Sequence, residues 1–262
     1  MPIFLRAFIG DSAKIPVDSA RRLADSRKGT VTKDNVRARI EEVGIIPAVR
    51  VSSAEDAIFA SEAVSRGGIP IVEITMTVPG ATEVIARLVK HAPQMIVGAG
   101  DVFDMEIARE CRDAGAVFLT SPGLDPKIVE FAGRENLVVL PGALTPTEVI
   151  AAWKAGADFV KVFPCAQVGG DGYIRALKGP FPSLPLIAAG GVNQQTASKF
   201  ILAGAAALGV GGDLIPKEAI RLRQADRIFT LAHRFVSFVK QARAQLEPQK
   251  FAPPKKLWQK AI

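Results

Sequence analysis

The chain has 262 residues, 48% of them hydrophobic, which is enough to bury one large core, and α/β barrels of this length are commonly a single domain. Its net charge of +7 would suit nucleic acid, but the basic residues lack interleaved aromatic residues and any recognisable nucleic-acid reader motif. The two cysteines, Cys111 and Cys165, are far apart in the sequence, which argues against a disulfide framework and against a zinc site. No apolar run approaches the length of a membrane helix, so we expect neither a nucleic-acid partner nor a membrane partner.

The two ends of the chain differ from its middle. Residues 1–31 begin with a very short apolar stretch that contains Arg6, whereas a secretory signal needs a longer apolar region and a cleavage site. We therefore expect a partly flexible extension at this end and a cytoplasmic protein. Residues 247–262 are rich in lysine and proline and predict a flexible basic tail. Residues 32–246 between them are expected to form the single folded domain.

Apolar strand-like runs alternate with amphipathic helix-like stretches along this middle part. A helix over about Thr32–Val43 is expected to close the bottom of the fold. The predicted strands are Ile45–Val51, Ile69–Met76, Met95–Val97, Val117–Thr120, Leu137–Leu140, Phe159–Phe163, Pro185–Ala188 and Ala206–Val210. The predicted helices include Ala54–Arg66, Ala81–His91, Met105–Ala114, Pro126–Arg134, Thr147–Ala155, Gln195–Ala203 and a long terminal helix over Ala225–Leu246. This alternation predicts a parallel sheet, and the number and spacing of the units favour an α/β fold of the (β/α)8 TIM-barrel type.

One lysine interrupts an otherwise apolar strand, the sequence DFVKVFP over residues 158–164. Removing an ammonium group from water is costly, so a buried lysine usually gains a carboxylate partner or has a lowered pKa. A neutral lysine can attack a carbonyl and form a Schiff base, which makes Lys161 a candidate nucleophile. The alternative is a lysine at the end of the strand whose ammonium group reaches solvent.

Polar residues at the ends of the predicted strands are candidates for a site, because barrel enzymes carry their chemistry at the carboxyl ends of the strands. The first strand ends in Arg50. In the run VEITMT, alternation directs Glu73, Thr75 and Thr77 to one face, and the barrel interior suits a glutamate better than the helix layer. Glu73 is therefore expected to meet Lys161, as a catalytic pair or as a buried ion pair and nothing more.

Two glycine pairs, Gly190–Gly191 and Gly211–Gly212, follow the seventh and eighth predicted strands. In barrels this is where backbone amides and a helix start hold a phosphate group, and glycine permits the close approach. Glycine also ends strands for purely steric reasons, so the two pairs alone are weak evidence.

Eight segments occur in an order and spacing that resemble the KDPG/KHG aldolase family, over about residues 36–216. These segments are GIIPAVRV, VEITMTVPG, VGAGDV, SPGL, LPGALTPTE, VKVFPC, KGPFP and AAGGVN. The family comprises class I pyruvate-dependent aldolases that cleave 2-keto-3-deoxy-6-phosphogluconate or 4-hydroxy-2-oxoglutarate. The resemblance implies a lyase that uses Schiff-base chemistry with no cofactor and no metal ion, takes a 2-keto acid as substrate and assembles as a homotrimer.

Roles follow from the resemblance for the matching positions. Lys161 would be the Schiff-base nucleophile and Glu73 the general acid/base, acting through a water molecule. Arg50 and Thr77 would help to hold the pyruvate carboxylate, although other members place an arginine where Thr77 stands. The pocket walls would be Pro122 and Phe163.

Three positions depart from the family pattern. Asp101 stands where the family usually has threonine, and near a pyruvate carboxylate it would either turn away, recognise a substrate hydroxyl or carry a proton. Ala189 and Gly212 replace a threonine and a serine, which removes two hydroxyl donors from the expected phosphate site around Gly190, Gly191, Gly211 and Gly212. Two lost hydrogen bonds to a charged group weaken phosphate binding by roughly 3 to 6 kcal/mol.

Three hypotheses follow. The first is a class I aldolase that releases pyruvate from a 2-keto-4-hydroxy acid, with an unphosphorylated sugar acid as one form of the substrate. The second is a phosphate-binding barrel isomerase or synthase in which Lys161 only pairs with Glu73. The third is a basic adaptor without enzymatic activity.

Overall fold

The computed structural model describes residues 32–246. The predicted extension, residues 1–31, and the predicted basic tail, residues 247–262, lie outside the described residues. Within residues 32–246, helices and strands alternate along the chain, and every strand pairing is parallel.

The sheet is a closed barrel. Its strands are β1 (Ile45–Val49), β2 (Ile71–Thr75), β3 (Ile96–Gly100), β4 (Phe118–Thr120), β5 (Val138–Leu140), β6 (Gly142–Ala143), β7 (Val160–Val162), β8 (Leu186–Ala189) and β9 (Ala207–Val210). They are hydrogen-bonded in the order β5-β4-β3-β2-β1-β9-β8-β7-β6. Only Pro141 separates β5 from β6, so the two ends of the sheet are pieces of one barrel strand, and the Lys161 amide donates to the Pro141 carbonyl across the closure at 3.0 Å. The predicted (β/α)8 barrel is confirmed.

The helices surround this barrel. They are α1 (Lys33–Val43), α2 (Ala54–Arg66), α3 (Ala81–His91), α4 (Met105–Asp113), α5 (Pro126–Arg134), α6 (Pro146–Lys154), α7 (Asp171–Lys178), α8 (Ala197–Leu202), α9 (Lys217–Arg221) and α10 (Ala225–Leu246). Five of them begin after a residue whose side chain accepts a first-turn amide hydrogen, and these caps are Thr32, Ser53, Asp104, Asp125 and Thr145.

Some predicted boundaries were wrong. Helix α6 begins at Pro146 because Thr145 and Glu148 form a reciprocal capping box there. Helix α8 is shorter than predicted, because Asn193 accepts the amide hydrogens of Gln195 and Thr196 in a turn that delays the helix. Strand β3 extends to Gly100, three residues beyond the predicted end at Val97.

Helix α1 covers the amino-terminal end of the barrel. Lys33 pairs with Asp158 at 2.8 Å, and the same carboxylate accepts the Val139 amide hydrogen at 2.8 Å. Arg243, on α10, donates to the carbonyl oxygens of Glu41 and Glu42 at the end of α1. With this end closed, the carboxyl ends of the strands form the open mouth. Among residues 32–246, no helix combines the length and the apolar composition needed to span a bilayer.

Candidate active site

Lys161 and Glu73 meet inside the mouth of the barrel. They lie on β7 and β2, which face each other across the barrel, and Lys161 Nζ is 3.7 Å from Glu73 Oε1. Both side chains are largely buried, with 12% of the lysine and 5% of the glutamate exposed. Lys161 Nζ also donates to Thr120 Oγ1, on β4, at 3.3 Å. The ammonium group therefore has two polar partners in a site that admits little water.

Glycines on β3 make room for the Glu73 carboxylate and for the Phe118 ring. Gly98 and Gly100 pair in register with Glu73 and Thr75 of β2. A Cβ atom on Gly100 would lie 2.1 Å from Glu73 Oε1, and one on Gly98 would lie 2.4 Å from the Phe118 ring. Sequence reasoning placed Gly98, Gly100 and Thr120 at the ends of predicted strands but gave them no role at the site. The available signal was the alternation of glycines in a strand, which marks a close approach by another group.

A second polar cluster lies at the ends of β1, β2 and β3. Arg50 Nη2 pairs with Asp101 Oδ2 at 2.5 Å, and Arg50 Nη1 donates to Thr77 Oγ1 at 3.1 Å. Thr77 Oγ1 lies 2.8 Å from Thr75 Oγ1, which donates to the Val49 carbonyl at 3.1 Å. The Asp101 carboxylate therefore faces Arg50, the residue expected to hold the substrate carboxylate, and does not turn away from it.

The two predicted wall residues have different surroundings. The Phe163 ring is partly exposed, and its centroid lies 5.7 Å from Lys161 Nζ. Pro122 is exposed in the loop after β4, where its carbonyl lies so close to Gly142 that a Cβ there would approach to 2.1 Å. Phe163 therefore lies beside the lysine, whereas Pro122 packs against the junction of β5 and β6.

The two glycine pairs also differ. Gly190 and Gly191 have φ of 83° and 82°, and a Cβ on Gly191 would lie 2.2 Å from Ala166 Cβ. This turn thus requires glycine to pack against the segment that follows β7. Around Gly211 and Gly212, an added Cβ would meet no atom within 4 Å. The second pair therefore opens onto free space at the mouth of the barrel.

Other nucleophiles and metal ligands are poorly placed. Burial, followed by the charge of Asp171, raises the pKa of the Cys165 thiol to about 11, so this thiol is protonated at neutral pH. In the part of the chain that the structure describes, no group of three or more His, Cys, Asp or Glu side chains is arranged to hold a metal ion.

Comparisons with known proteins agree with this fold. A family model described as KDPG and KHG aldolase matches residues 36–231. The 2-dehydro-3-deoxy-phosphogluconate aldolase of Treponema pallidum is 29% identical over 201 residues, which cover 76% of this chain and 95% of that protein. The KHG/KDPG aldolase of Escherichia coli K12 is 30% identical over 197 residues, covering 75% and 92%.

Solved structures agree as well. A KDPG aldolase from Legionella pneumophila, with pyruvate captured as a covalent carbinolamine intermediate, superposes with a TM-score of 0.70 at 28% identity, covering 79% of this chain and 98% of that one. A 3-hexulose-6-phosphate synthase superposes with a TM-score of 0.58 at 22% identity, covering 72% and 99%, which is a likeness of fold alone.

The barrel and the proteins it matches define this chain as an aldolase, and hence as a lyase. More particularly, the chain belongs to the KDPG and KHG aldolase family, whose model spans most of its length.

Proposed function

We propose that this aldolase is of class I and cleaves a 2-keto-4-hydroxy acid through a Schiff base on Lys161, releasing pyruvate and an aldehyde. The observation that carries the proposal is the Lys161–Glu73 pair, with Nζ 3.7 Å from Oε1 in a largely buried site. A nucleophile beside a base, at the carboxyl ends of barrel strands, is the arrangement that amine catalysis needs.

The reaction divides between these two side chains. Lys161 Nζ gives up a proton, which the Glu73 carboxylate accepts directly or through one water molecule, and the free amine attacks C2 of the substrate. Loss of water from the carbinolamine gives a protonated imine, whose positive charge attracts electrons from the C3–C4 bond. That bond breaks, its electron pair forms the C2–C3 double bond of an enamine, and the C4 hydroxyl loses its proton to become the aldehyde.

Product release reverses the first steps. The enamine takes a proton at C3, and water hydrolyses the resulting imine to pyruvate and free lysine. Glu73 is the group within reach of Nζ that can return the protons, because it already lies beside Lys161. Thr120 Oγ1, which accepts from the same Nζ, orients the lysine for attack. These steps need neither a metal ion nor an organic cofactor.

The remaining cluster would hold the substrate. We propose that Arg50 and Thr77, which are hydrogen-bonded to each other at 3.1 Å, receive the carboxylate at C1. Asp101 borders this position through its pair with Arg50. The ring of Phe163, beside Lys161, and Pro122 would form the apolar walls.

The far end of the substrate is proposed to lie at the glycine turns. Backbone amides of Gly190, Gly191, Gly211 and Gly212 can bind a phosphate without side chains. The threonine and serine hydroxyls of the family are absent here, because these positions hold Ala189 and Gly212. Because the backbone amides remain but the two hydroxyl donors are lost, we expect the best substrate to be an unphosphorylated 2-keto acid. The compounds to compare are 4-hydroxy-2-oxoglutarate and 2-keto-3-deoxygluconate.

The test of the Schiff base is chemical trapping. The protein is incubated with pyruvate, reduced with borohydride, digested and mapped by mass spectrometry, and the adduct is expected on Lys161. Lys178 is a built-in control, because burial lowers its pKa, yet its Nζ donates to the Leu184 carbonyl at 2.9 Å, away from the site. Absence of an adduct, or an adduct on Lys178 instead, would overturn the proposal.

A second candidate is a phosphate-binding isomerase or synthase in which Lys161 serves only as the charge partner of Glu73. The observation that favours it is the ion pair itself, since a buried pair needs no reaction to account for it. Turnover of a sugar phosphate without any trapped imine would identify this alternative.

Assembly and location belong to the same proposal. A similar chain, 28% identical, occurs in a designed cage made by fusing symmetric oligomeric domains, which supports an oligomer for this family member. We propose a homotrimer in the cytoplasm, as the resemblance and the amino-terminal sequence suggested. Sedimentation equilibrium measures the first property, and cell fractionation measures the second.

A further inference from the structure

Arg50, which is proposed to bind the substrate carboxylate, is already paired with an acid of the protein. Arg50 Nη2 lies 2.5 Å from Asp101 Oδ2, and Arg50 Nη1 donates a hydrogen bond to Thr77 Oγ1. Asp101 is the more buried partner of the ion pair, with 17% of its side chain exposed against 55% for Arg50. The aspartate side of the pair is therefore largely enclosed, while the Arg50 side chain remains accessible to solvent.

The backbone also holds Asp101 in place. Its φ is 58°, in the left-handed region that non-glycine residues adopt rarely and asparagine and aspartate adopt most readily. The residue directly before it is Gly100, which lies against the Glu73 carboxylate. Asp101 is thus paired with Arg50 and directly follows the glycine that lies against Glu73.

The charges of the site cancel as a result. Lys161 and Arg50 are balanced by Glu73 and Asp101, so a substrate anion meets no net positive charge among these four side chains. A carboxylate that binds Arg50 must either displace Asp101 or share the guanidinium with it, and two carboxylates on one guanidinium repel each other.

We propose that Asp101 is a specificity-determining residue that occupies and neutralises Arg50, and so weakens the preference of the site for substrates that carry a carboxylate at C1 over neutral 2-keto compounds. Asp101 acts through Arg50 and not on the reacting atoms, so it is a positioning residue. This inference rests on the proposed function, because it assigns the C1 carboxylate to Arg50 and imine formation to Lys161.

The test compares two small ketones that differ in one charge, pyruvate and its neutral amide, pyruvamide. The concentration of each that gives half-maximal borohydride-trapped imine on Lys161 is measured with the full chain. The half-maximal concentration of pyruvamide divided by that of pyruvate measures how strongly the site prefers the charged ketone. A general loss of active protein leaves this ratio unchanged. A purely structural role of Asp101 would change both concentrations alike.

The variant Asp101→Asn removes the charge and keeps the shape, and asparagine tolerates the left-handed backbone. We expect it to raise the preference for pyruvate over pyruvamide by about tenfold or more, mainly by tightening pyruvate binding. Asp101→Gly, which also adopts this φ without strain, is the second variant and should act in the same direction. Glu106→Gln is the matched control, because Glu106 is an exposed acid in the first turn of α4, five residues along, and its loss should leave the ratio unchanged.

The route through Arg50 is tested in an Arg50→Gln background. There, the change produced by Asp101→Asn should fall to less than about threefold, because the guanidinium that transmits it is gone. An unchanged ratio in both Asp101 variants, with imine still formed, overturns this inference and leaves the proposed function standing. An equal rise with and without Arg50 overturns it as well, since Asp101 would then act on the substrate directly. No imine in the unmodified protein with either ketone overturns the proposed function, and this inference with it.

Discussion

Glu73 Oε1 lies 3.7 Å from Lys161 Nζ although the two residues stand on opposite strands of the barrel and 88 positions apart in the chain, from 73 to 161. The contact exists because β2 and β7 direct one side chain each into the mouth, and because Gly100 on β3 leaves space for the Glu73 carboxylate.

Glu73→Gln should slow aldol cleavage by about a hundredfold or more while imine formation partly survives, because the amide keeps the shape but cannot carry protons. Single-turnover cleavage and borohydride trapping measure the two steps separately. If the variant cleaves at close to the normal rate, Glu73 is only a charge partner for Lys161.

Gly100→Ala should reduce activity strongly with little change in secondary structure. The new methyl group would stand 2.1 Å from Glu73 Oε1, so the carboxylate must move away from Lys161. Gly133→Ala is the control, because Gly133 lies in α5 with no atom within 4 Å of an added Cβ, and it should stabilise the protein by about 0.5 to 1 kcal/mol. Equal activity in the two variants, measured as kcat/KM, would contradict this account of the β3 glycines.

Both thiols should be unreactive in the folded protein. Burial is the main cause that raises the thiol pKa from 9.0 to about 12 for Cys111 and to about 11 for Cys165. At pH 8, therefore, about one thiol in a thousand or fewer is a thiolate. Because the folded pKa values lie above the unfolded ones, the protein should also lose stability as pH rises from about 9 toward 12. Iodoacetamide labelling at pH 8, with and without denaturant, measures the first effect; fast labelling of the native protein would rule out the burial given for the two thiols.

Activity should be insensitive to chelators, because the proposed steps use only the imine and proton transfers by Glu73. The measurement is cleavage rate before and after dialysis against EDTA, with added divalent ions as the control. Loss of the rate in EDTA and its return with a divalent ion would instead make Asp101 a candidate ligand and indicate another class of aldolase.

The enzyme should show little or no preference for a phosphorylated substrate, because Ala189 and Gly212 supply no hydroxyl donors. The comparison is kcat/KM for 2-keto-3-deoxy-6-phosphogluconate against 2-keto-3-deoxygluconate and 4-hydroxy-2-oxoglutarate. A thousandfold preference for the phosphorylated acid, about 4 kcal/mol, would show that backbone amides alone suffice. The double change Ala189→Thr and Gly212→Ser should raise use of the phosphorylated substrate specifically. If it does not, the distal end of the substrate lies elsewhere.

Much of the architecture could be predicted from local patterns. Alternating apolar runs and amphipathic stretches predicted the parallel barrel, since the spacing of apolar residues along the sequence distinguishes strands from helices. The single lysine in VKV and the alternation in VEITMT predicted which two charged side chains would point inward. The proposed chemistry came from the family resemblance, because the periodicity of a sequence carries no information on a reaction.

Other features depended on contacts between distant parts of the chain. The partner of Asp101 is Arg50, 51 positions away in the sequence, and only the closing of β1 beside β2 and β3 brings the two together. The need for glycine at Gly98 and Gly100 arises from Phe118 and Glu73, which are placed there by strand register. The sequence by itself determines the hydrophobic period of each helix and strand and shows which charged side chains must be buried. The tertiary structure decides which opposite charge lies within reach of each of them, because the closure and register of the whole barrel set those distances.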